Sequence, residues 1–405
     1  MSKSINVPKL RFKEFSGEWE EKTLGEISSK VLYGIGSSAI AYDGVNKYLR
    51  ITDIDESSRT FIPNPLTSPS GDIEEKYKLV VGDLVFARTG ASTGKSYLYN
   101  EKDGNLIYAG FLIKFHIDKA NPYFVYTNTF KEQYYKWVQI MSMRSGQPGI
   151  NAEEYKLLPL FLPSKQEQEK IASFLNQIDI KIEQLTKKEE LLKQYKKGVM
   201  QKIFNQEIRF KDDDGSEFCD WEEYTLNDFL IPALREVEKP KENYLAIGVR
   251  SHCKGTFQKP DSEPDKIAMD RLYVLKENDL IVNITFAWES AIAIVKKEDE
   301  GGLVSHRFPT YTFDEKISNS KYFQYVIIQK RFRIMLELIS PGGAGRNRVM
   351  SKKDFLTLKW ELPCIEEQNK IANFLSSIDT KIQQTQKQLE SSKEFKKALL
   401  QQMFI

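Results

Sequence analysis

The chain has 405 residues, a length that suits two or three domains, each large enough to bury its own core. Hydrophobic residues make up 40% of it and charged residues 29%, values that exclude collagen-like and intrinsically disordered proteins. The net charge is +2, so composition by itself favours neither nucleic acid nor an anionic membrane as a partner.

The cysteines, histidines and apolar runs exclude further classes. Cys219, Cys253 and Cys364 are too few and too scattered for a disulfide framework, which favours a reducing compartment. Histidines and cysteines lack the ligand spacing of a zinc site, so we predict no metal. The N-terminus has no apolar signal segment, and no apolar run approaches the ~20 residues of a membrane helix. We therefore expect a cytoplasmic protein.

Each half of the chain predicts a domain of strands and turns with helices at its end. Short runs rich in β-branched and aromatic residues are separated by Asn, Asp, Gly and Pro, a pattern typical of strands. The predicted strands are 47–52, 83–87, 106–109, 110–116, 244–249, 279–284 and 291–295, and the predicted helices are 122–141 and 320–338. This order indicates two α+β domains.

A turn rich in Gly, Ser and Thr follows the predicted strand 83–87. It runs from Thr89 to Ser96 and resembles a phosphate-binding loop, but it has three residues between its glycines where that motif needs four. Backbone N–H groups and nearby cations of such a turn also suit a DNA phosphate. Arg88, Thr89 and Lys95 are therefore candidate DNA-binding residues. A plain β-turn and a nucleotide site that uses Lys95 remain the alternatives.

Two glycine-containing loops fall at corresponding places in the two halves. They carry Arg, Asn and Gln, and Arg suits guanine while Asn and Gln suit adenine, each through paired hydrogen bonds. The candidate DNA-binding residues here are Arg144, Gln147, Arg346, Asn347, Arg348 and Lys352. The alternative is that both are solvated surface loops without a ligand.

An internal repeat organises the chain. Residues 163–204 recur without a gap as 363–404, with about 20 identities in 42 aligned positions. An Arg-Phe-Lys segment at Arg11 and again at Arg209 opens each half. The chain is thus a tandem duplication of a unit of about 200 residues, whereas residues 60–69 and 255–270 show no convincing match. Shared ends around divergent middles indicate one framework with two versions of one task.

The repeated tail predicts a long helix with a narrow apolar seam, which is typical of a coiled coil. Glu189 and Lys196 occupy two of the seam positions in the first copy. At 1.5 Å per residue each helix would reach roughly 60 Å. The residues that we assign to helix–helix packing are Ile171, Leu175, Ile178, Ile182, Leu185, Ile371, Leu375, Ile378, Ile382 and Leu389.

The seam needs a partner, and the other copy of the helix is the simplest one. Two duplicated halves related by a pseudo-two-fold axis can pack the same stripe against itself in antiparallel orientation. We therefore predict an antiparallel coiled coil of the two helices. The alternative is that each helix docks separately on the core of its own domain.

The repeat and its signature identify a resemblance to a known family. The pattern Pro-x-x-x-Glu-Gln-x-Lys-Ile-Ala-x-Phe-Leu-x-x-Ile-Asp-x-Lys-Ile begins at Pro163 and at Pro363, and the Arg-Phe openings lie at Arg11 and Arg209. With these features the whole chain resembles the specificity subunit of a type I restriction-modification system. The domains that the resemblance implies are target-recognition domains at 1–162 and 205–362, with spacer helices at 163–204 and 363–405.

The resemblance also implies function and partners. The chain would be a non-catalytic subunit that recognises a bipartite, asymmetric site in double-stranded DNA, and it contains no methyltransferase, nuclease or helicase motif. Two methyltransferase subunits, and restriction subunits through the assembled complex, would be its partners in a bacterial cytoplasm. It would hold no cofactor itself, since S-adenosylmethionine, ATP and Mg belong to the partner subunits. The alternative from another class is a coiled-coil adaptor that binds proteins and never recognises DNA.

Overall fold

The structure is a computed structural model that describes residues 6–143, 146–340 and 348–405. The chain divides into two compact units. Unit 1 comprises Met1–Glu189 with Thr385–Ile405, and unit 2 comprises Glu190–Gln384. Both long helices are therefore shared, because each begins in one unit and ends in the other.

Unit 1 is an α+β assembly, as the sequence predicts. Its strands are β1 Glu20–Thr23, β2 Ser28–Tyr33, β3 Ala39–Ala41, β4 Lys47–Leu49, β5 Thr67–Pro69, β6 Asp83–Ala87, β7 Ser96–Leu98, β8 Leu106–Tyr108, β9 Leu112–Ile117 and β10 Pro159–Leu162. Its helices are α1 Pro122–Asn128, α2 Glu132–Ser142, α3 Ala152–Lys156 and the start of α4 Lys165–Phe204. The main sheet has the order β2-β9-β6-β7, and all its neighbours are antiparallel.

Unit 2 has the same plan with one larger sheet. Its strands are β11 Glu222–Thr225, β12 Leu230–Pro232, β13 Glu236–Glu238, β14 Tyr244–Val249, β15 Thr256–Ser262, β16 Arg271–Val274, β17 Leu280–Val282, β18 Ile292–Ile294, β19 Leu303–Val304, β20 Thr310–Phe313 and β21 Lys359–Leu362. Its helices are α5 Ser320–Val326, α6 Lys330–Leu338, α7 Lys352–Leu356 and the start of α8 Ile365–Gln402. The sheet β12-β20-β17-β18 corresponds to β2-β9-β6-β7, and a five-stranded sheet β13-β16-β19-β14-β15 lies beside it in the same unit.

One inner strand of each main sheet, β6 in unit 1 and β17 in unit 2, carries an apolar run that is covered on both faces. In β6, Leu84 and Phe86 enter one core cluster while Val85 and Ala87 enter another. Alternation along a strand sends successive side chains to opposite faces, so two cores require an unbroken apolar run. β17 repeats this arrangement with residues 280–282. The two cores fix the end of each of these strands, from which the candidate loops emerge.

The predicted helices 122–141 and 320–338 are each two helices in the structure. α1 ends at Asn128 and α2 begins at Glu132, while α5 ends at Val326 and α6 begins at Lys330. At the first break, Asn128 Nδ2 donates to the Phe124 carbonyl and Thr129 Oγ1 donates to the Tyr126 carbonyl. Side chains that bond to nearby backbone carbonyls compete with helical hydrogen bonds, which explains the interruption. An apolar pattern alone did not predict it.

The repeated Glu-Gln of the helix signature joins each helix to its own unit. Glu167 is 1% exposed and accepts two hydrogen bonds from Arg11, from Nε at 2.8 Å and from Nη2 at 2.7 Å. Glu367 is 0% exposed and pairs in the same way with Arg209, from Nε at 3.3 Å and from Nη2 at 2.7 Å. The Arg-Phe opening and the helix signature recur together because one binds the other.

The glutamine of the signature fixes the start of the neighbouring short helix. Gln168 Oε1 accepts from the backbone N–H of Asn121, whose side chain caps α1. Gln368 Oε1 accepts from the Ser318 hydroxyl, next to the residue that caps α5. The amide nitrogens donate to the carbonyls of Pro163 and Pro363, at 2.8 and 2.9 Å. A Gln at this position therefore satisfies backbone groups on two elements.

The two long helices pack together in antiparallel orientation. In unit 1, Ile171 and Leu175 at the start of α4 share a core cluster with Leu399 and Met403 at the end of α8. In unit 2, Ile371 and Leu375 at the start of α8 share a cluster with Ile203 at the end of α4. The clusters also include residues of the strands and short helices. The helices thus pack on each other and on the unit cores, so both predicted arrangements contribute.

Most of the predicted seam is buried. Ile171, Leu175, Leu185, Ile371, Leu375, Ile378, Ile382 and Leu389 are all buried, whereas Ile178 and Ile182 are partly buried. The polar seam positions pair across the helices. Glu189 Oε1 accepts from Gln386 Nε2 at 2.8 Å in unit 1, and Lys196 Nζ donates to Asp379 Oδ1 at 2.6 Å in unit 2.

An Asp, a Lys and a Tyr form the same cluster in each unit. In unit 1, Lys396 Nζ lies 2.6 Å from Asp179 Oδ1, and Tyr123 donates to Asp179 Oδ2. In unit 2, Lys196 pairs with Asp379, and the Tyr325 hydroxyl donates to Asp379 Oδ2 at 2.9 Å. Burial, with the adjacent carboxylate second, raises the pKa of both tyrosines, so they stay neutral donors. Polar seam pairs of this kind favour one alignment of the helices.

Candidate nucleic-acid interface

In unit 1, three segments meet at the end of strand β6. In the turn 88–94 that follows β6, the Arg88 carbonyl accepts a hydrogen bond from the Ile150 N–H at 2.9 Å. The Gly90 N–H of the same turn donates to the Pro148 carbonyl at 2.9 Å. The Arg88 N–H donates to the Phe111 carbonyl at 3.0 Å. The turn, residues 146–150 and residues 109–112 therefore form one backbone-bonded group, which we call the unit 1 junction.

Glycine is required at two positions of this turn. Gly90 has φ +76° and Gly94 has φ +90°, conformations that other residues rarely adopt. A β carbon on Gly94 would also lie 2.7 Å from Val138 Cγ1, so α2 packs directly on the turn. The sequence resemblance to a phosphate-binding loop thus reflects a tight turn under a helix.

Arg88 is held rigidly at the unit 1 junction. Its Nε donates to the Gly110 carbonyl at 3.0 Å. Its guanidinium carbon lies 5.2 Å from the centre of the Tyr33 ring and 5.9 Å from that of Phe111, within the range of cation–π contact. Phe111 is 60% exposed and Tyr33 is 40% exposed, so this aromatic pair is open to a ligand. Arg88 was predicted from the sequence, whereas neither Tyr33 nor Phe111 was.

Two other predicted residues lie at the same junction. Gln147 is exposed, and a β carbon on Gly90 would be 3.1 Å from its Nε2, so its amide lies over the turn. Thr89 is partly buried and forms a bridge with Gly149. The structure therefore brings Arg88, Thr89 and Gln147 together from separate parts of the sequence. Arg144 lies outside the described residues, and its contact with DNA stays a prediction.

Lys95 has a different position from the one expected of a phosphate ligand. Its side chain is 6% exposed, and Nζ donates to the Ile54 carbonyl at 3.1 Å and to the Glu56 carboxylate. A buried ammonium group needs such partners because burial without them is costly. In this arrangement Lys95 stabilises the unit internally and is not available to a phosphate of DNA or of a nucleotide.

Unit 2 forms the corresponding junction with different side chains. The Met350 N–H donates to the Ile284 carbonyl at 2.9 Å, as Ile150 does to Arg88. The Ile284 N–H donates to the Arg307 carbonyl at 3.1 Å, which places Arg307 where unit 1 has Phe111. We call this group, residues 284–290, 307–308 and 348–350, the unit 2 junction.

The unit 2 junction also holds an arginine against an aromatic ring. The guanidinium carbon of Arg348 lies 5.2 Å from the centre of the Trp288 ring. Arg307 is exposed, and Lys352 is exposed at the first position of α7. The prediction included Arg348 and Lys352 but not Trp288 or Arg307. Arg346 and Asn347 lie outside the described residues and stay predictions.

Two features are absent from the described parts of the chain. Within residues 6–143, 146–340 and 348–405, no group of three or more His, Cys, Asp or Glu side chains is arranged to hold a metal ion. No helix among those same residues is long and apolar enough to span a membrane.

The sequence of the chain matches one protein family in both halves. Residues 16–194 and 220–391 match the family described as the type I restriction modification DNA specificity domain. The chain belongs to this family. The two matched segments agree with the internal repeat, and the type I DNA specificity domain therefore occurs twice. The predicted identity as a specificity subunit, a DNA-recognition subunit without catalytic activity, is confirmed.

Two curated relatives are named as specificity subunits, and this chain aligns with most of the length of each. The chain is 26% identical over 421 aligned residues to a Methanocaldococcus jannaschii protein named for the type I restriction enzyme MjaX specificity subunit, with 98% of this chain and 95% of the relative covered. It is 24% identical over 293 residues to the type I restriction enzyme MjaVIII specificity subunit of the same organism, with 69% and 68% covered.

Solved structures show the same fold. The S subunit of a type I restriction-modification system from M. genitalium gives a TM-score of 0.62 at 16% identity, with 98% of this chain and 99% of that chain covered. A chain from work on complex assembly and conformational transition of the type I restriction-modification system gives 0.50 at 13% identity, with 95% and 97% covered. The predicted fold, two α+β domains with two long packed helices, is confirmed.

Proposed function

We propose that unit 1 and unit 2 each recognise one half of a bipartite, asymmetric site in double-stranded DNA. One observation carries the proposal: both junctions share a backbone frame and present an arginine against an aromatic ring, but from different positions of that frame, since Ile284 takes the position of Arg88 in unit 2 and Arg348 lies two residues before Met350. Arg88 has Tyr33 and Phe111, and Arg348 has Trp288. A common frame with different base-contacting groups is what two different half-sites require.

We further propose how this subunit works in its complex. It would direct two methyltransferase subunits to the site, and restriction subunits would join through the assembled complex. S-adenosylmethionine, ATP and Mg would be bound by those partners. The antiparallel helices would set the gap between the half-sites, and the complex would act in the bacterial cytoplasm, where its DNA lies.

Selection from a random pool of duplexes tests this function. The chain is co-expressed with its methyltransferase subunit, the complex is purified, and the bound duplexes are sequenced. We expect two short motifs at a fixed separation. Enrichment of no sequence by an intact complex would contradict DNA recognition and would favour the coiled-coil adaptor.

Replacement of one domain tests the assignment of half-sites to units. A chimera takes residues 205–362 from another specificity subunit and keeps the rest of this chain. We expect one motif of the selected site to change and the other to stay the same. A change in both motifs, or in neither, would contradict independent recognition by the two units.

A further inference from the structure

Arg88 differs from the other arginines of unit 1 in how its guanidinium is used. Arg11 and Arg50 pair with the carboxylates of Glu167 and Asp53. Arg59 is 5% exposed and donates from Nη1 to Ser96 and from Nη2 to Tyr135. Among the described arginines of this unit, Arg88 alone has no hydrogen bond from either Nη group to residues 6–143, 146–340 or 348–405. Its two terminal donors are left for a ligand.

The contacts of Arg88 also fix the direction in which those donors point. Nε is bonded to the Gly110 carbonyl, and the Tyr33 and Phe111 rings lie within cation–π distance of the guanidinium. A planar guanidinium held in this way presents its two Nη groups side by side and loses little conformational entropy when it binds. A flexible lysine or an unsupported arginine would suit a phosphate equally well, but this arrangement suits a planar ligand with two adjacent acceptors.

Guanine is the base that presents two adjacent hydrogen-bond acceptors in the major groove. Its O6 and N7 are two neighbouring acceptors, and no other base presents two acceptors side by side in that groove. We propose that Arg88 recognises a guanine of the half-site bound by unit 1, with Tyr33 and Phe111 as positioning residues that hold the guanidinium. This inference rests on the proposed function, because it assigns one base of the same DNA site.

The glycines beside the aromatic pair support this geometry. A β carbon on Gly34 would lie 2.2 Å from the Ala109 carbonyl oxygen, so the backbone after Tyr33 approaches the backbone before Gly110 as closely as a glycine allows. This close approach brings Tyr33, at the end of β2, and Phe111, just before β9, to the same guanidinium.

The test compares selected sites of the wild-type complex and the Arg88→Gln complex. We expect one guanine in one half-site to become degenerate, while the half-site of unit 2 is unchanged and shows that the variant complex is folded and assembled. In titrations with single duplexes, wild type should discriminate against the A·T substitution at that position by about 5- to 150-fold, the range for a paired arginine–guanine contact. Arg88→Gln should lose the preference for the G·C duplex; equal binding of both duplexes, or a preference for A·T through the Gln amide, would each show this loss.

Two further variants separate recognition from charge. Phe111→Leu keeps Arg88 and removes one ring, so we expect weaker discrimination at the same guanine and at no other base. Lys136→Gln is the charge-matched control, because Lys136 is 66% exposed on α2 and pairs with Glu132. It should leave the selected site unchanged.

The outcomes that would overturn the inference differ from those that would overturn the proposed function. If the wild-type complex selects two half-sites and Arg88→Gln selects the same site, Arg88 does not recognise a base. If Arg88→Gln lowers affinity for all duplexes equally and reduces the salt dependence of binding, Arg88 contacts a phosphate instead. If Arg88→Gln instead removes the preference for an A·T pair, the base that Arg88 recognises is not guanine. If the wild-type complex selects no sequence, the proposed function itself fails, and this inference fails with it.

Discussion

Unit 1 holds its junction arginine, Arg88, near two rings, Tyr33 at the end of β2 and Phe111 just before β9, whereas unit 2 holds Arg348 against Trp288, which lies in the turn itself. The buried pairs at the start of the long helices, in contrast, are nearly identical, Arg11 with Glu167 in unit 1 and Arg209 with Glu367 in unit 2. The duplication therefore kept the ion pairs that attach each long helix, and it changed the side chains at the junctions. A surface side chain can be replaced with little loss of stability, whereas replacement of one partner of a buried ion pair leaves the other charge unpaired and destabilises the fold.

The ion pairs Arg11–Glu167 and Arg209–Glu367 differ in the other hydrogen bonds that their carboxylates accept. Removal of these carboxylates should have the largest effect on stability. Trp221 Nε1 donates to Glu367 Oε2 at 3.2 Å, whereas Trp19 Nε1 is buried and has no hydrogen-bond partner among residues 6–143, 146–340 and 348–405. We expect Glu367→Gln to lower the free energy of unfolding by about 3 to 5 kcal/mol, the usual result of breaking a buried ion pair from one side. The Phe210 N–H also donates to Glu367 Oε1, at 3.3 Å. Glu167→Gln should therefore be about 1 to 2 kcal/mol less harmful, because the Glu167 carboxylate accepts two hydrogen bonds fewer.

Chemical unfolding followed by circular dichroism measures both losses. Glu366→Gln is the matched control, because Glu366 is the exposed neighbour of Glu367 on α8, and it should change the unfolding free energy very little. Equal losses for all three variants would contradict the role of the buried carboxylates, and a larger loss for Glu167→Gln would contradict the role of Trp221.

The residues that precede α2 and α6 should make the stability of the two units depend differently on pH. Lys131 precedes α2, where burial lowers its pKa to about 8, and Gln329 precedes α6. Between pH 8 and the ordinary lysine pKa, the unfolded chain binds more protons than the folded chain, so the contribution of Lys131 to stability rises with pH. The total rise should be about 1 to 3 kcal/mol.

Lys131→Gln, which gives unit 1 the residue of unit 2, should remove this rise. Unfolding free energies of both proteins at pH 7, 8, 9 and 10 measure it, and the difference between the two curves isolates Lys131 from other titrating groups. Parallel curves would show that Lys131 is not perturbed by burial.

The Asp–Lys–Tyr clusters of the two units each depend on one specific Asp–Lys pair, and charge exchange in unit 2 tests this. Asp379→Lys should lower the unfolding free energy by about 1 to 2 kcal/mol, a moderate loss because the partners Lys196 and Asp379 are 19% and 35% exposed. Adding Lys196→Asp should restore most of it, since the ion pair is re-formed with the charges exchanged.

The mismatched double variant is the control for that exchange. Lys396 pairs with Asp179 in unit 1 and not with Asp379, so Asp379→Lys with Lys396→Asp should restore nothing. Recovery in the mismatched variant would mean that net charge matters and the specific pairs do not. Thermal unfolding of the four proteins measures these differences.

The smallest expected effect concerns the junction of unit 2. Arg348→Ala should weaken binding of the selected duplex by about 1 kcal/mol, the lower end for a base contact, because a single ring holds this arginine. Arg271→Ala is the control, since Arg271 is 70% exposed and pairs with Glu236. Titration with the cognate duplex measures both. Equal affinities for wild type and Arg348→Ala would remove Arg348 from the interface.

Much of the fold could be predicted from the sequence because it depends on repetition and periodicity. The repeat at 163–204 and 363–404, the seam of Ile171 and Leu175, and the strand 83–87 are patterns of adjacent or regularly spaced residues. The break after Asn128 was missed because it depends on side chains that bond to nearby carbonyls, and such bonds leave the apolar pattern unchanged.

The sequence by itself determined the duplication, the two long helices and the family, since each depends on residues that are adjacent or regularly spaced along the chain. Only the tertiary structure decided which candidate residues share a site. It brought Arg88 to Tyr33 and Phe111, which lie 55 and 23 positions away in the sequence, and it buried Lys95 beside Glu56 although Lys95 lies in the same glycine-rich turn as Arg88. Exposure and contact between distant residues follow from how strands pair and helices cover them, and no spacing in the sequence encodes that pairing directly.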